Sequence, residues 1–362
     1  MDYLMDFDIN AYSSDEEQFP RRPKIIRNRP NHFEEWDETD FIARFRLSKR
    51  TTENLIEEIE ELITHPTERN DCLSAENQVL LTLRFLATGS FLSVAGDFCG
   101  VHKSTASRTV KRVTVALANL RHRYIKMPQT YEEILTCRQQ FFNIARFPRC
   151  IGAIDCSHVK IQSPGGDSAE IFRNRKQFFS LNVQTVSDTN LKILDIVSRW
   201  PGSAHDAHIF RNSALCARFE MGQFRDSVLV GDSGYPVKKY LVTPLLNINS
   251  NAENLYNESL IRTRNVVERS YGVWKRRFPC LAMGLRLKLD TVQALTVATA
   301  ILHNVAVNEN DILPAVNPEQ EAAINIVNNV DEELLATQAV GLNYNLNNQS
   351  RLNLINNYFA RL

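Results

Sequence analysis

The sequence lacks the features that mark secreted, membrane and metal-finger proteins. No apolar run reaches the length of about 20 residues that a transmembrane helix needs. The acidic start of the chain also lacks the basic-then-apolar order of a signal peptide. Seven cysteines are scattered along the chain, and no two of them form a C-x-x-C pair. These absences argue against a disulfide scaffold, a zinc finger and a membrane partner, and they favour a nuclear, or nuclear and cytosolic, location.

Several catalytic motifs are absent as well. The chain has no glycine-rich phosphate-binding loop, no G-x-S-x-G nucleophile elbow and no H-E-x-x-H metal pair. Net charge is also uninformative, since 42 basic residues balance 42 acidic ones. Those three motif-based enzyme classes are therefore disfavoured.

The distribution of charge is more informative than its sum. Residues 84–126 carry eight Lys or Arg against Asp97 alone, and residues 262–288 carry eight against Glu268 alone. Two basic blocks suggest a polyanionic partner, although charge runs are often only solvated faces. Residues 21–29 are basic too, and they fit either a nuclear import signal or DNA-contacting arm or a plain linker.

Length and pattern predict four segments. A chain of 362 residues with 43% hydrophobic residues can form one large or two ordinary domains with a sizeable core. We expect a flexible segment at 1–32, a helical domain at 33–145, a catalytic domain at 146–310 and an Asn-rich tail, flexible to weakly helical, at 311–362.

The helical domain contains a pattern typical of a helix-turn-helix. A short helix at 91–98, a turn at Gly100 and a helix with a small, polar and basic first turn follow one another. Val110 and Val113 would face the core. A plain helical bundle with a solvated basic face fits the same pattern. The candidate DNA-binding residues are Lys103, Ser104, Ser107, Arg108, Lys111 and Arg112.

The sequence pattern of the catalytic domain is typical of an α/β (α+β) fold. Val- and Ile-rich runs at 150–161, 179–187 and 191–198 predict an antiparallel meander, and further strands are expected at 227–230 and 240–246. One helix is predicted before the fourth strand, at 206–219, and another after the fifth, from about 258 to 277. This order predicts a ribonuclease-H-like mixed sheet with flanking helices, in which the first and fourth strands are neighbours.

Three carboxylates stand out in this domain. Asp155 and Asp232 each follow a buried apolar run, and the predicted neighbouring strands would place them side by side. Glu268 lies beside the apolar stripe of a basic helix. Magnesium and manganese prefer such hard oxygen ligands, and two ions can assist displacement at a phosphodiester. For Glu268, an ion pair with Arg264 four residues earlier is an alternative.

Four segments together resemble the PIF/Harbinger superfamily of DDE transposases, which includes Harbinger transposase-derived nucleases. They are GAIDCSH (152–158), WPGSAHD (200–206), GDSGYP (231–236) and VERSYGVWKRRF (267–278). The 35 residues between Asp232 and Glu268 match the D(35)E spacing of that family. The resemblance extends over roughly residues 70–310.

The resemblance implies the roles of the carboxylates. Asp155, Asp232 and Glu268 take the positions of the catalytic triad, and Asp206 takes that of an additional metal ligand, although helix capping explains Asp206 equally well. His158 and His205 flank ligands and fit either phosphate binding or a structural role. The implied cofactor is a divalent cation, Mg²⁺ or Mn²⁺.

The implied function is a metal-dependent DNA endonuclease, a hydrolase of phosphodiester bonds or a transposase, that acts in the nucleus. The alternative is a domesticated DNA-binding or scaffold protein that has lost cleavage. The resemblance also implies a Myb-like DNA-binding partner protein, and a homo-oligomer is compatible with it.

Overall fold

The computed structural model describes residues 29–64, 72–313 and 349–362. The segment 1–32 and the basic stretch 21–29 lie almost wholly outside these ranges, as do residues 314–348 of the Asn-rich tail. None of the helices in the described ranges is long and apolar enough to cross a membrane.

Helices account for most of the described chain. They are α1 (His32–Glu35), α2 (Glu38–Phe45), α3 (Lys49–Ile63), α4 (Ala75–Thr88), α5 (Leu92–Phe98), α6 (Lys103–Asn119), α7 (Arg121–Tyr124), α8 (Tyr131–Ala145), α9 (Asp206–Arg211), α10 (Ala214–Glu220), α11 (Asn251–Arg277), α12 (Cys280–Met283), α13 (Leu289–Asn308) and α14 (Gln349–Asn357). Short 3-10 turns lie at Ala169–Phe172 and Phe359–Arg361.

Five strands form one mixed sheet in the order β3-β2-β1-β4-β5. The strands are β1 (Cys150–Lys160), β2 (Ser180–Ser187), β3 (Ile193–Pro201), β4 (Val228–Val230) and β5 (Leu241–Val242). The first three pair antiparallel, whereas β4 runs parallel to β1 and β5 parallel to β4. Every residue of β2 is buried, as expected for a strand covered on both faces. The ribonuclease-H-like sheet and the adjacency of β1 and β4 are confirmed.

The unequal lengths of β1 and β4 create an opening in the sheet. β4 pairs with β1 only between Cys150 and Ala153, whereas β2 pairs with β1 from Ala153 to Lys160. Burial changes at the same place, since the five residues up to Ile154 are buried and the next four are only partly covered. Asp155 therefore lies in the middle of β1, at the point where one neighbour ends.

The helical part has the helix-turn-helix-like layout that the sequence predicts. α5 and α6 are joined by a turn in which Gly100 has a φ of 62°. At Gly96, a Cβ atom would lie 2.6 Å from the carbonyl oxygen of Val101, so the tight turn needs glycine there. Val110 and Val113 are fully buried, as expected.

Two helix boundaries differ from the predictions. The helix predicted at 206–219 is broken into α9 and α10, because the Ser213 hydroxyl accepts from the Cys216 backbone N–H (3.0 Å) and starts a new helix. α11 begins at Asn251 rather than near residue 258. Ser250 and Glu253 form a complete capping box there, with the Ser-x-x-Glu spacing that marks a helix start.

The end of the predicted Asn-rich tail is an ordered helix. The ring of Phe359 lies 5.6 Å from that of Tyr256 on α11 and 5.9 Å from that of Phe147. Arg351 on α14 donates to the carbonyl oxygen of Pro244 (3.2 Å). Residues 349–362 therefore pack against the catalytic domain rather than extend from it.

Candidate active site

Asp155 is held at the opening between β1 and β4. Its Oδ1 accepts from the backbone N–H of Cys156 (2.8 Å), and its carbonyl oxygen accepts from the Tyr271 hydroxyl of α11 (2.7 Å). The side chain is 17% exposed. The strand and the helix together fix the position of this carboxylate while leaving one face open.

Asp232 lies two residues beyond the end of β4, near Asp155. Its Oδ1 accepts from the backbone N–H of Gly234 (2.9 Å). A Cβ atom at Gly234 would lie 3.1 Å from that oxygen and 3.5 Å from Asp206 Oδ2. The glycine therefore keeps the space beside two carboxylates open.

Asp206 is the first residue of α9, and its side chain does not cap the helix. His205 occupies the N-cap position, without a side-chain capping bond. Asp206 Oδ1 accepts instead from Nδ2 of Asn182 on β2 (3.0 Å), and the same amide donates to the carbonyl oxygen of Ala204 (2.8 Å). Asn182 thus turns Asp206 toward the sheet.

The three aspartates converge. One carboxylate oxygen from each of Asp155, Asp206 and Asp232 lies within 4.8 Å of the other two. Among the described residues this is the one group of three or more acidic, His or Cys side chains with metal-ligand spacing.

Glu268 lies on α11 beside this group but outside it. Its carboxylate is half exposed, and its Oε1 accepts from Arg264 Nη2 at 2.5 Å. The same guanidinium reaches Asp155, with Arg264 Nη1 3.3 Å from Asp155 Oδ2. The predicted i,i+4 ion pair is therefore present, and Arg264 bridges two of the three proposed catalytic carboxylates.

Burial and mutual repulsion disfavour ionisation of Asp155 and Asp232. Desolvation, and next the charge of Asp232, raise the pKa of Asp155 to about 7. Desolvation, and next the charge of Asp206, raise the pKa of Asp232 above its usual range. Acidic groups that share a buried site repel one another in this way, and a nearby cation relieves the repulsion.

The residues fit a hard divalent cation. The available metal ligands are carboxylate oxygens. One oxygen of each aspartate accepts a hydrogen bond from a backbone or side-chain amide N–H group, which fixes the position of the carboxylate. Space beside the Oδ2 atoms of Asp206 and Asp232 is preserved by Gly234. Mg²⁺ and Mn²⁺ take such oxygen ligands, typically with several waters retained.

The two candidate histidines already have partners. His158 Nδ1 lies 3.0 Å from the Ser180 hydroxyl, and desolvation lowers the pKa of His158 to about 4. His205 Nδ1 lies 2.8 Å from Arg175 Nη2. Lys275, two turns beyond Glu268 on α11, donates to the carbonyl oxygen of His158 (3.3 Å).

Sequence reasoning missed the residues that hold the carboxylates. Asn182 and Tyr271 act on aspartates at 24 and 116 residues' separation, and no local pattern signals such pairs. The spacing of Arg264 and Glu268 indicated their ion pair, but the second contact to Asp155 depends on how α11 packs on β1.

The candidate DNA-binding residues of α6 divide into two groups. Lys111 Nζ pairs with Asp290 Oδ2 (2.7 Å), and Arg112 Nη1 donates to Gln78 Oε1 (3.1 Å). The Ser104 hydroxyl contacts the ring of His102 (2.9 Å). Lys103 and Arg108 are exposed and form no ion pair with any described residue.

A groove beside the first turn of α6 connects it to the catalytic domain. Lys103, Ser104 and Ser107 line it together with Arg286, whose guanidinium carbon lies 4.4 Å from the centre of the exposed Phe91 ring. Its continuation along the end of β1 is lined by Lys288. No described residue that lines either part is acidic.

The chain is similar to a family of endonucleases and to individual proteins from animals and plants. A family model described as DDE superfamily endonuclease matches residues 154–304. The chain is 32% identical to the candidate nuclease HARBI1 of Homo sapiens over 255 residues, 70% of this chain and 73% of the human protein. It is 25% identical to the protein Antagonist of Like Heterochromatin Protein 1 of Arabidopsis thaliana over 293 residues, 74% of this chain and 73% of that protein. No solved structure matches significantly.

The family match begins within β1 and covers Asp155, Asp206, Asp232 and the whole of α11. The chain therefore belongs to the Harbinger-derived family of DDE superfamily endonucleases, the transposase-derived nucleases of the PIF/Harbinger superfamily.

Proposed function

We propose that the protein is a divalent-metal-dependent nuclease that cleaves DNA phosphodiester bonds, with Asp155, Asp232 and Glu268 as catalytic residues and Asp206 as a further metal ligand. The observation that carries the proposal is the convergence of three aspartate oxygens within 4.8 Å at the opening of the sheet. Carboxylates that repel one another in a partly buried site are stabilised by a cation.

The chain positions its ligands before any cation arrives. Cys156 and Gly234 hold Asp155 and Asp232 through their backbone N–H groups, and Asn182 holds Asp206. When bound, Mg²⁺ or Mn²⁺ supplies activation of the attacking oxygen and charge stabilisation of the leaving oxygen. The nucleophile is water in hydrolysis, or a terminal 3′-hydroxyl in strand transfer. The identity of the metal is part of the proposal.

DNA is the proposed substrate because a groove lined by Lys103, Arg286 and Lys288 lies at the far end of the strand that carries Asp155. Lys103, Ser104, Ser107 and Arg108 occupy the start of α6, while Lys111 and Arg112 would need to leave their present partners to contact DNA. Ile161, which directly follows β1, lines the groove. It is six residues beyond Asp155, a distance of about 20 Å along an extended strand. Duplex DNA covers that distance in about six base pairs.

The test replaces single carboxylates. Asp155→Asn and Asp232→Asn should each abolish nicking of supercoiled DNA in Mg²⁺ or Mn²⁺, because Asn keeps the shape but removes the charge. Binding of the same DNA with a chelator present should remain within about twofold of wild type, since phosphate contacts lie elsewhere. Equal cleavage by wild type and both variants would contradict the proposal.

A second candidate function is a DNA-binding or scaffold protein without cleavage. The ion pair of Glu268 with Arg264, which leaves Glu268 outside the group of three aspartates, favours it. Salt-dependent DNA binding without nicking in either cation would support this function. A nuclear location, a Myb-like partner and a homo-oligomer also remain proposals, and co-purification from nuclei followed by sizing of the purified chain tests them.

A further inference from the structure

We infer that Arg264 is a latch that withholds Glu268 from the cation site until it is displaced. The inference rests on the proposed cation site and concerns how that site is assembled.

The latch is defined by two contacts of one side chain. Arg264 Nη2 binds Glu268 Oε1 at 2.5 Å, and Arg264 Nη1 lies 3.3 Å from Asp155 Oδ2. The Arg264 side chain is 19% exposed and that of Asp155 is 17% exposed, so the contact between them is shielded from solvent. Arginine suits this role because its planar group presents several N–H donors in a fixed geometry.

The same contacts divide the four carboxylates into two groups. Asp155, Asp206 and Asp232 already have oxygens at metal-ligand spacing, whereas Glu268 lies outside that group and is held by Arg264. A cation held by the three aspartates leaves the contact between Arg264 and Glu268 in place. A cation shared by Asp155 and Glu268 must replace both contacts of the guanidinium.

Arg264 and a second divalent cation compete for the same carboxylate oxygens because both are positively charged. A guanidinium and a divalent cation cannot occupy the same face of Asp155 without strong repulsion. The displaced arginine would remain beside the site on α11, and phosphate is a favourable bidentate partner for it. Arg264, which opposes binding of a second cation in the free protein, can therefore contact the DNA backbone when the substrate is bound.

The experiment measures Mn²⁺ binding by calorimetry in the absence of DNA. Arg264→Gln should strengthen the weaker of two Mn²⁺ binding events by about tenfold, because it frees the Glu268 carboxylate to serve as a ligand for that cation. Arg269→Gln is the matched control, because Arg269 is exposed on the same helix, next to Glu268, and forms no ion pair with any described residue. It should change Mn²⁺ affinity by less than about twofold, as a screened surface charge does.

A double variant separates release of Glu268 from loss of charge alone. In Arg264→Gln/Glu268→Gln the gain should disappear, because the released ligand is missing. The latch is overturned if the gain persists in the double variant, if Arg264→Gln binds Mn²⁺ no better than Arg269→Gln, or if none of the variants binds Mn²⁺. The last result also removes the proposed cation site, whereas the first two leave DNA cleavage and its Asp155→Asn test unaffected. Circular dichroism of each variant confirms folding.

Discussion

Gly234 illustrates how one residue without a side chain can shape a charged site. Its backbone N–H holds Asp232, and its missing Cβ leaves the space beside Asp206 and Asp232 open. Neighbouring residues of this kind tune a metal site without touching the metal.

Gly234→Ala should therefore weaken Mn²⁺ binding by about tenfold, since the methyl group would lie 3.1 Å from Asp232 Oδ1 and push the carboxylate aside. Gly272→Ala is a suitable control, because Gly272 lies on α11 with no atom within 4 Å of the new Cβ. That control should keep its Mn²⁺ affinity and gain roughly 0.5–1 kcal/mol of stability from better helix propensity. Unchanged calorimetric Mn²⁺ affinity in Gly234→Ala would refute the assignment.

The carboxylates were the easiest residues of the site to predict, and their partners were the hardest. An acid at the end of a buried apolar run is visible in the sequence, so Asp155 and Asp232 were identified before the fold. The structure brings Asp206 into the cluster and leaves Glu268 on Arg264, and both outcomes depend on side-chain contacts between distant elements.

At the scale of elements, α13 shows how a core helix can make stability depend on pH. His303 Nε2 donates to the carbonyl oxygen of Leu191 (2.7 Å), in the turn between β2 and β3. Its other ring nitrogen is buried without a hydrogen-bond partner. Desolvation lowers the pKa of His303 to about 4, so the folded protein keeps this ring neutral.

The free energy of unfolding should fall as the pH drops from about 6.5 toward 4. Unfolded His303 takes up a proton near pH 6.5, whereas the folded protein resists until about pH 4. Between these two pH values the unfolded state binds more protons than the folded state. The contribution of neutral His303 to the free energy of unfolding is therefore fully present above pH 6.5 and is lost as the pH falls toward 4. The loss amounts to at most about 3 kcal/mol. Urea unfolding at pH 7.5 and 5.0 measures the loss.

His303→Gln is the comparison for this prediction, because glutamine can still donate to Leu191 but does not titrate. The variant should lose less stability than wild type between the two pH values. An equal loss in both proteins would mean that other groups, such as His158, account for the acid sensitivity.

Elements with strong local signals were predicted well. The Val- and Ile-rich strands and the neighbouring positions of β1 and β4 followed from their pattern and order. Boundaries were weaker, because the Ser213 cap divides one predicted helix and the Ser250 capping box extends another. Weak helicity was expected in the tail, but the packing of α14 was not predicted, since its buried face is short and surrounded by asparagines.

At the scale of the whole molecule, the helical and catalytic regions share contacts that fix their orientation. Asn304 on α13 donates to the carbonyl oxygens of Tyr124 in the helical region and Ile193 on β3 (2.9 and 2.7 Å). The cationic groove crosses the same boundary. Its lysine and arginine side chains Lys103, Arg286 and Lys288 form no ion pairs with described residues.

Arg286→Gln/Lys288→Gln should weaken DNA binding by full-length protein in chelator and reduce the slope of log affinity against log salt by about two, one for each lost phosphate contact. Arg50→Gln/Lys239→Gln removes the same charge at exposed positions outside the groove and should leave the slope nearly unchanged. Fluorescence anisotropy with a labelled duplex over a range of salt concentrations measures both. Identical slopes for the two double variants would exclude the groove as a DNA contact.

The docking of residues 349–362 affects how the protein can be shortened or tagged. A chain cut at residue 313, just beyond the match to the endonuclease family, would lose the cover that Phe359 gives to Tyr256 and Phe147, and the uncovered aromatic rings would favour aggregation. Leu362, by contrast, is 63% exposed, so an affinity tag after it would point into solvent and leave the packed helix in place.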